Sequence, residues 1–211
     1  MVKRLILLAG NIGAGKTSLT ERIGERLGWK TAFESVADNP YLPDFYESME
    51  DWAFHLQIFF LGHRAEQHIY LAEHTQSAII DRSIYEDAHI FARALHQMDN
   101  MNDRDYHAYL RLYNLVVKDL PKPDLLIHLK APVPVLLARI QRRARDIETG
   151  ITEDYLSLLE RFYTEWIEAF DLCPVLTIRS DALDFVHETE HLDIVVERIK
   201  EKLSGREEMV F

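Results

Sequence analysis

Short runs of consecutive apolar residues alternate along this chain with longer stretches in which apolar positions recur every three or four residues. Leu5-Ile6-Leu7-Leu8-Ala9, Ala78-Ile79-Ile80, Leu125-Leu126-Ile127 and Val175-Leu176-Thr177-Ile178 have the continuous character of strands buried on both faces. They predict strands at about 3–9, 77–80, 124–129 and 174–178, with a shorter one at Thr31–Glu34. Helical periodicity between them predicts helices at about 16–27, 50–74, 84–97, 103–118, 133–143, 152–170 and 190–203, and a helical turn at 44–47. Gly28 stands where a helix C-terminus needs it, and Ser83 with Glu86 makes a capping box for the 84–97 helix. Trp52, Leu56, Phe59, Phe60 and His63 mark the 50–74 helix as long and largely buried. Strands alternating with helices imply an α/β domain spanning 1–211, with a five-stranded parallel sheet flanked by helices on both faces. In such sheets ligands lie beyond the carboxyl ends of the strands.

The turn after the first apolar run carries the densest signal. Gly10-Asn11-Ile12-Gly13-Ala14-Gly15-Lys16-Thr17 matches G-x-x-x-x-G-K-T in the setting that motif needs, a buried strand before it and a helix opening through Ser18 after it. Glycines let the backbone curl so that several N–H groups point into one concavity, and the helix N-terminus makes it more positive. Lys16 can reach β- and γ-phosphate oxygens, and the Thr17 hydroxyl can ligate Mg²⁺. The loop from Gly10 to Ser18 therefore predicts a nucleoside triphosphate site, with ATP as phosphoryl donor and Mg²⁺ as cofactor.

Composition narrows the partners. With 35 acidic against 24 basic residues the net charge is −11, so no global positive field exists to attract nucleic acid or an anionic membrane. A polyanionic small ligand then needs a local basic site. No apolar stretch approaches membrane-spanning length. The single cysteine, Cys173, excludes an internal disulfide and fits a reducing compartment. Lys3-Arg4 ahead of a short apolar run has no small-residue cleavage site behind it and reads as the start of a strand, not a signal peptide. The expected location is the cytoplasm.

Charged groups collect where the carboxyl edge of the sheet is expected. Glu34, just past the second strand, could accept a proton from an attacking hydroxyl. Asp81 ends the third strand, where P-loop enzymes carry a Mg²⁺-facing carboxylate, and Arg82 beside it can fork onto a carboxylate or phosphate. Arg139, Arg142, Arg143 and Arg145 place four guanidinium groups within seven residues of an acidic chain. With Gly150 nearby they read as a mobile lid, about 139–150, that clamps a transferring phosphoryl group. Gln57 and Arg64 lie two helical turns apart and share a face, where burial would oblige them to find polar partners. His187-Glu188-Thr189-Glu190-His191 matches H-E-x-x-H, yet it opens an acidic terminal helix and no third zinc ligand accompanies it, so it is set aside.

Taken together, these segments resemble the deoxyribonucleoside kinase family, in particular its bacterial deoxyadenosine/deoxycytidine members. The resemblance rests on the Gly10–Thr17 loop, Glu34 ahead of Asp38-Asn39-Pro40-Tyr41-Leu42, Trp52 with Gln57, Asp81-Arg82-Ser83-Ile84-Tyr85-Glu86-Asp87, and Arg139 to Glu148. It implies a P-loop kinase fold with an Arg-rich lid. It makes Glu34 the base toward the 5′-hydroxyl, with Arg82 holding that end of the site, and gives Mg²⁺ to Thr17 and Asp81, usually through water. Lys16, Arg143 and Arg145 become the cations around the phosphates. Tyr46 and Glu148 become partners of the sugar 3′-hydroxyl, with Tyr46 also crowding a ribose 2′-hydroxyl. Gln57, Arg64 and Asp87 face the base, Phe91 packs on it, and Arg139 and Phe185 sandwich the donor purine. Family members usually pair as homodimers through long helices, and the adjacent Phe59, Phe60 and Leu61 of the 50–74 helix are compatible with that.

Adenine and cytosine each present an exocyclic amino donor beside an acceptor ring nitrogen. A Gln amide accepts from one and donates to the other, and an ionised Asp87 accepts from the amino group while Arg64 holds it. Deoxyadenosine is therefore the expected acceptor, with deoxycytidine second. Guanine presents the complementary pattern, which a flipped Gln amide suits, and this leaves deoxyguanosine as the main competitor. A nucleoside monophosphate kinase is the nearest rival, opposed by the anionic Glu34 at the acceptor end. A nucleotide-dependent switch without nucleoside turnover would leave the lid and the base-facing residues unexplained.

Overall fold

A computed structural model describes residues 2–33, 39–145, 148 and 150–204. Strands β1 (Leu5–Gly10), β2 (Lys30–Ala32), β3 (Ala78–Asp81), β4 (Leu125–Lys130) and β5 (Val175–Arg179) form one sheet in the order β2-β3-β1-β4-β5. Every pairing is parallel, with Leu8 of β1 opposite both Asp81 of β3 and Ile127 of β4. The helices are α1 (Lys16–Leu27), α2 (Leu42–Glu47), α3 (Met49–Glu73), α4 (Ile84–Glu86), α5 (Arg93–Gln97), α6 (Asp103–Val117), α7 (Val133–Arg143), α8 (Glu153–Ala169) and α9 (Thr189–Ser204).

The apolar runs became strands because helices cover both faces of the sheet. Alternate residues of β1 feed two different cores. Leu5, Leu7 and Ala9 pack with Leu61 and Leu71 of α3, Tyr109 of α6 and Phe162 of α8, whereas Ile6 and Leu8 pack with Leu19 and Ile23 of α1, Leu136 of α7 and Val195 of α9. The chain builds β2 and β3 on one side of β1 and then crosses to β4 on the other. The end of β1 is thus the switch point where ligands of such sheets sit.

Three local expectations need correction. The second strand stops at Ala32, and Glu34, with Ser35 to Asp38, lies outside the described residues. The buried stripe of α3 is Ala53, Leu56, Gln57, Leu61, Arg64, His68 and Leu71; Trp52, Phe59, Phe60 and His63 are only half-buried. Gln57 and Arg64 interrupt the apolar period of that stripe where it lines a cavity, and His68 interrupts it beside the Pro121 carbonyl. The helix expected over 84–97 is continuous in direction but changes type, since a π-helical stretch (Asp87–Ala92) separates α4 from α5. Such stretches are rare and recur at functional sites.

Candidate active site

The loop between β1 and α1 is shaped by backbone packing. Gly13 has φ +82°, and a Cβ there would stand 2.8 Å from the Leu136 carbonyl oxygen of α7. At Gly10 a Cβ would stand 2.5 Å from the Leu129 oxygen of β4. No side chain fits at either position. Lys16 is buried and bends back over the loop, its ammonium 2.8 Å from the Gly10 oxygen and 3.0 Å from the Asn11 oxygen. The Asn11 amide donates to the Leu156 carbonyl at 3.0 Å and to the Glu160 carboxylate at 3.3 Å, fastening the loop to α8. Ala14, Gly15 and Ser18 complete the turn into α1, and the Thr17 hydroxyl donates to Asp81 Oδ2 at 2.5 Å.

A cavity of about 370 Å³ opens beside this loop and gathers most of the expected site, from Ile12, Lys16 and Thr17 to Gln57, Arg64 and Asp87. Arg64 Nε lies 2.7 Å from Asp87 Oδ2, with both side chains under 5 % exposed. Gln57 is equally buried on the same helical face. Tyr46 and Phe91 also line the cavity, and the Arg82 guanidinium lies over the Phe91 ring at 4.4 Å.

The four arginines of the lid segment separate. Arg143 and Arg145 line the cavity, where Glu148 receives Arg143 Nε at 3.0 Å and stands 3.8 Å from Arg145. Arg142 is exposed. Arg139 turns to the far side of the loop, donating to the Ser180 carbonyl at 2.7 Å and hydroxyl at 3.0 Å. Neither Arg139 nor Phe185 lines the cavity. Phe185 is 3 % exposed, its ring in the space that a Cβ on Gly15 would crowd, so in this packing it offers no open face to a purine. Asp146, Ile147 and Thr149 of the lid lie outside the described residues.

Behind the cavity Asp81-Arg82-Ser83 turns sharply, with Arg82 at φ +70°, a left-handed conformation rare for a residue with a side chain. The Glu86 carboxylate is fully buried; it accepts from the Ser83 N–H at 2.7 Å, the Gly10 N–H at 3.3 Å and the Tyr163 hydroxyl at 2.6 Å. Arg82 Nη1 lies 3.2 Å from the Tyr163 oxygen and 3.6 Å from Glu86. Burial first, and then the Glu86 charge, hold the Tyr163 phenol well above its ordinary range, so it stays protonated.

The matching family model, described as deoxynucleoside kinase, covers residues 6–204. The chain belongs to the deoxynucleoside kinase family. It is accordingly a kinase, a phosphotransferase. The deoxyadenosine/deoxycytidine kinase of Bacillus subtilis (strain 168) is 37% identical over 197 residues, covering 92% of this chain and 91% of the relative. A deoxyguanosine kinase of Lactobacillus johnsonii is 38% identical over 208 residues, covering 94% and 92%. The solved deoxyadenosine kinase from M. mycoides with products dCMP and dCDP bound matches at a TM-score of 0.81 and 27% identity, covering 93% of this chain and 98% of that one. The same enzyme with bound dATP matches at 0.80.

In this kinase the loop backbone fits phosphate, and the adjacent Thr17 hydroxyl and Asp81 carboxylate are hard oxygen donors of the kind Mg²⁺ takes alongside substrate phosphates and water. Sequence reasoning missed two groups. Tyr155 lines the cavity from the first turn of α8, its phenol pushed up to about 12 by burial. Glu86 read only as a helix cap, and nothing in the local pattern announces Tyr163 as its partner. Of the H-E-x-x-H pair, His187 rests on the Asp184 carboxylate and His191 accepts from the Asp184 N–H, each at 3.0 Å. Cys173 is half-buried, which lifts its thiol to about 12, the condition of an unreactive cysteine. No helix among the described residues is long and apolar enough to cross a membrane.

Proposed function

We propose that this kinase transfers the γ-phosphoryl group of ATP to the 5′-hydroxyl of a deoxyribonucleoside, deoxyadenosine first and deoxycytidine second. The observation that carries the base preference is the buried Arg64–Asp87 pair at 2.7 Å, beside Gln57. Arg64 holds the Asp87 carboxylate oriented as an acceptor for an exocyclic amino group, and the Gln57 amide supplies the complementary donor and acceptor. Tyr46 and Glu148 take the 3′-hydroxyl, Phe91 packs on the base, and Glu34 removes the 5′-proton. Lys16, Arg82, Arg143 and Arg145 neutralise the transferring group, so the protein's contribution is positioning and charge. Mg²⁺, held by Thr17 and Asp81, would add charge neutralisation on the phosphates. Arg139 remains the nearer candidate for the donor base; Phe185 serves there only if the segment around it repacks.

Deoxyguanosine is the second reading, favoured by the 38% identity to a deoxyguanosine kinase. Guanine also carries an amino group, and a flipped Gln57 serves its carbonyl. Exposed Ile69 and Tyr70 of α3 with Leu112 and Leu115 of α6 support a homodimer through these helices. The lone free Cys173 supports the reading of a reducing, cytoplasmic location. Turnover of deoxyadenosine, deoxycytidine, deoxyguanosine, thymidine and adenosine with ATP and Mg²⁺ tests the ranking; adenosine at parity with deoxyadenosine would remove Tyr46 as a 2′-hydroxyl filter.

A further inference from the structure

Glu86 and Tyr163 touch no part of the cavity, yet they tie together two groups at its wall. The Gly10 peptide is held on both sides: its N–H donates to Glu86, and its carbonyl is met by the Lys16 ammonium at 2.8 Å and the Tyr163 hydroxyl at 2.9 Å. The same hydroxyl is 2.6 Å from Glu86 Oε1 and 3.2 Å from Arg82 Nη1. A phenol has one proton to donate, so it serves Glu86 or the Gly10 carbonyl, not both. With Lys16 on the Gly10 oxygen, that carbonyl is already satisfied and the phenol proton belongs to Glu86. A lysine drawn away to phosphate leaves the buried carbonyl short of a donor, and the Tyr163 proton is in place to supply it.

A helix cap alone does not account for Glu86. Gln serves the capping-box position as well as Glu does, and an ionised carboxylate with no exposure is costly to bury. What the charge adds is the neighbouring Arg82 guanidinium, fixed between Glu86, Tyr163 and the Phe91 ring on a strained backbone. We propose that Glu86 and Tyr163 are positioning residues for phosphoryl transfer, holding Arg82 in register with the phosphate loop and letting Tyr163 replace Lys16 as donor to the Gly10 carbonyl. This rests on the proposed place of Arg82 at the reacting end of the acceptor.

The test is steady-state kinetics on Tyr163→Phe, Glu86→Gln, Arg82→Lys and the Tyr163→Phe/Arg82→Lys double variant, with thermal melts alongside. Tyr163→Phe keeps the ring that stacks on His128 at 5.8 Å, so it carries the test even where Glu86→Gln fails to fold. Each single variant is expected to lower kcat about 10- to 100-fold, with the acceptor KM within about threefold of wild type. In the Arg82→Lys background, Tyr163→Phe is expected to cost less than about twofold more, because the two act as one unit. A Tyr163→Phe kcat within about twofold of wild type overturns the proposal, as do effects that multiply fully in the double variant. A normal kcat in Arg82→Lys removes the role of Arg82 itself and the proposal with it, an outcome separable because it appears in that variant alone.

Discussion

The two ends of the cavity are built from different materials. At the donor end the main chain makes the site, with Gly10 and Gly13 pressed so closely against β4 and α7 that no Cβ is admitted. At the acceptor end side chains make it, through the buried Arg64–Asp87 pair and Gln57 projecting from helices. A backbone site has one workable shape, whereas a side-chain site can be re-addressed without moving the fold. This fits relatives named for deoxyadenosine/deoxycytidine and for deoxyguanosine standing at nearly equal identity, 37% and 38%. The phosphoryl-transfer class belongs to the common frame, and the choice of base belongs to a few exchangeable groups.

The sharpest way to break that contrast is at Asp87. Asp87→Asn removes the negative charge facing the buried Arg64 guanidinium, and denaturant unfolding is expected to show a loss of about 3–5 kcal/mol together with a changed ranking of nucleosides. Lys16→Ala acts on the common frame, so kcat should fall by about 10²- to 10³-fold for every nucleoside alike. A Lys16 effect that depended on the base would blur the two ends into one.

Beneath the donor loop, His128 of β4 sits beside Ala9 and stacks on Tyr163. Burial, reinforced by Lys130 and Lys16, lowers its pKa from 6.5 to about 4. The folded value lies below the unfolded one, so above pH 6.5 the residue contributes nothing to the pH dependence. Between 6.5 and about 4 only the unfolded chain takes up the proton, and stability falls as pH drops. The full penalty is about 3 kcal/mol. His128→Phe should flatten that acid limb in melts across this range; His68, lowered mainly by its own burial, keeps some slope. Gly13→Ala adds a Cβ 2.8 Å from the Leu136 backbone oxygen at φ +82°, so the loop must shift. The loss of stability should exceed the about 1–3 kcal/mol of backbone strain alone, and the ATP KM should rise more than the acceptor KM.

How legible each end was in the sequence follows from the same contrast. The donor loop is contiguous, so its Gly-x-x-x-x-Gly-Lys-Thr pattern could be read directly, along with the strand before it and the helix after it. The acceptor end assembles residues far apart in sequence. Gln57 and Arg64 were recognisable as sharing a helix face, but their burial depends on what covers α3, and the half-buried Trp52 and Phe59 drew the apolar stripe to the wrong side. Glu86 is local enough to show as a cap, while its partners Tyr163 and Gly10 come from α8 and β1, beyond any short-range pattern. Phe185 was assigned to the donor purine through the resemblance, and its burial against Gly15 comes from packing that no local pattern announces.

The most direct test of the central claim is a kinase assay of the purified protein with ATP and Mg²⁺ over the five nucleosides, with Glu34→Gln in parallel. The account predicts fastest turnover with deoxyadenosine, deoxycytidine next, and collapse in Glu34→Gln. A clear preference for deoxyguanosine would keep the transfer chemistry and refute the assignment built on Asp87 and Gln57. Full activity in Glu34→Gln would contradict the proposed base, and no turnover of any nucleoside by protein that still binds ATP would contradict the account as a whole.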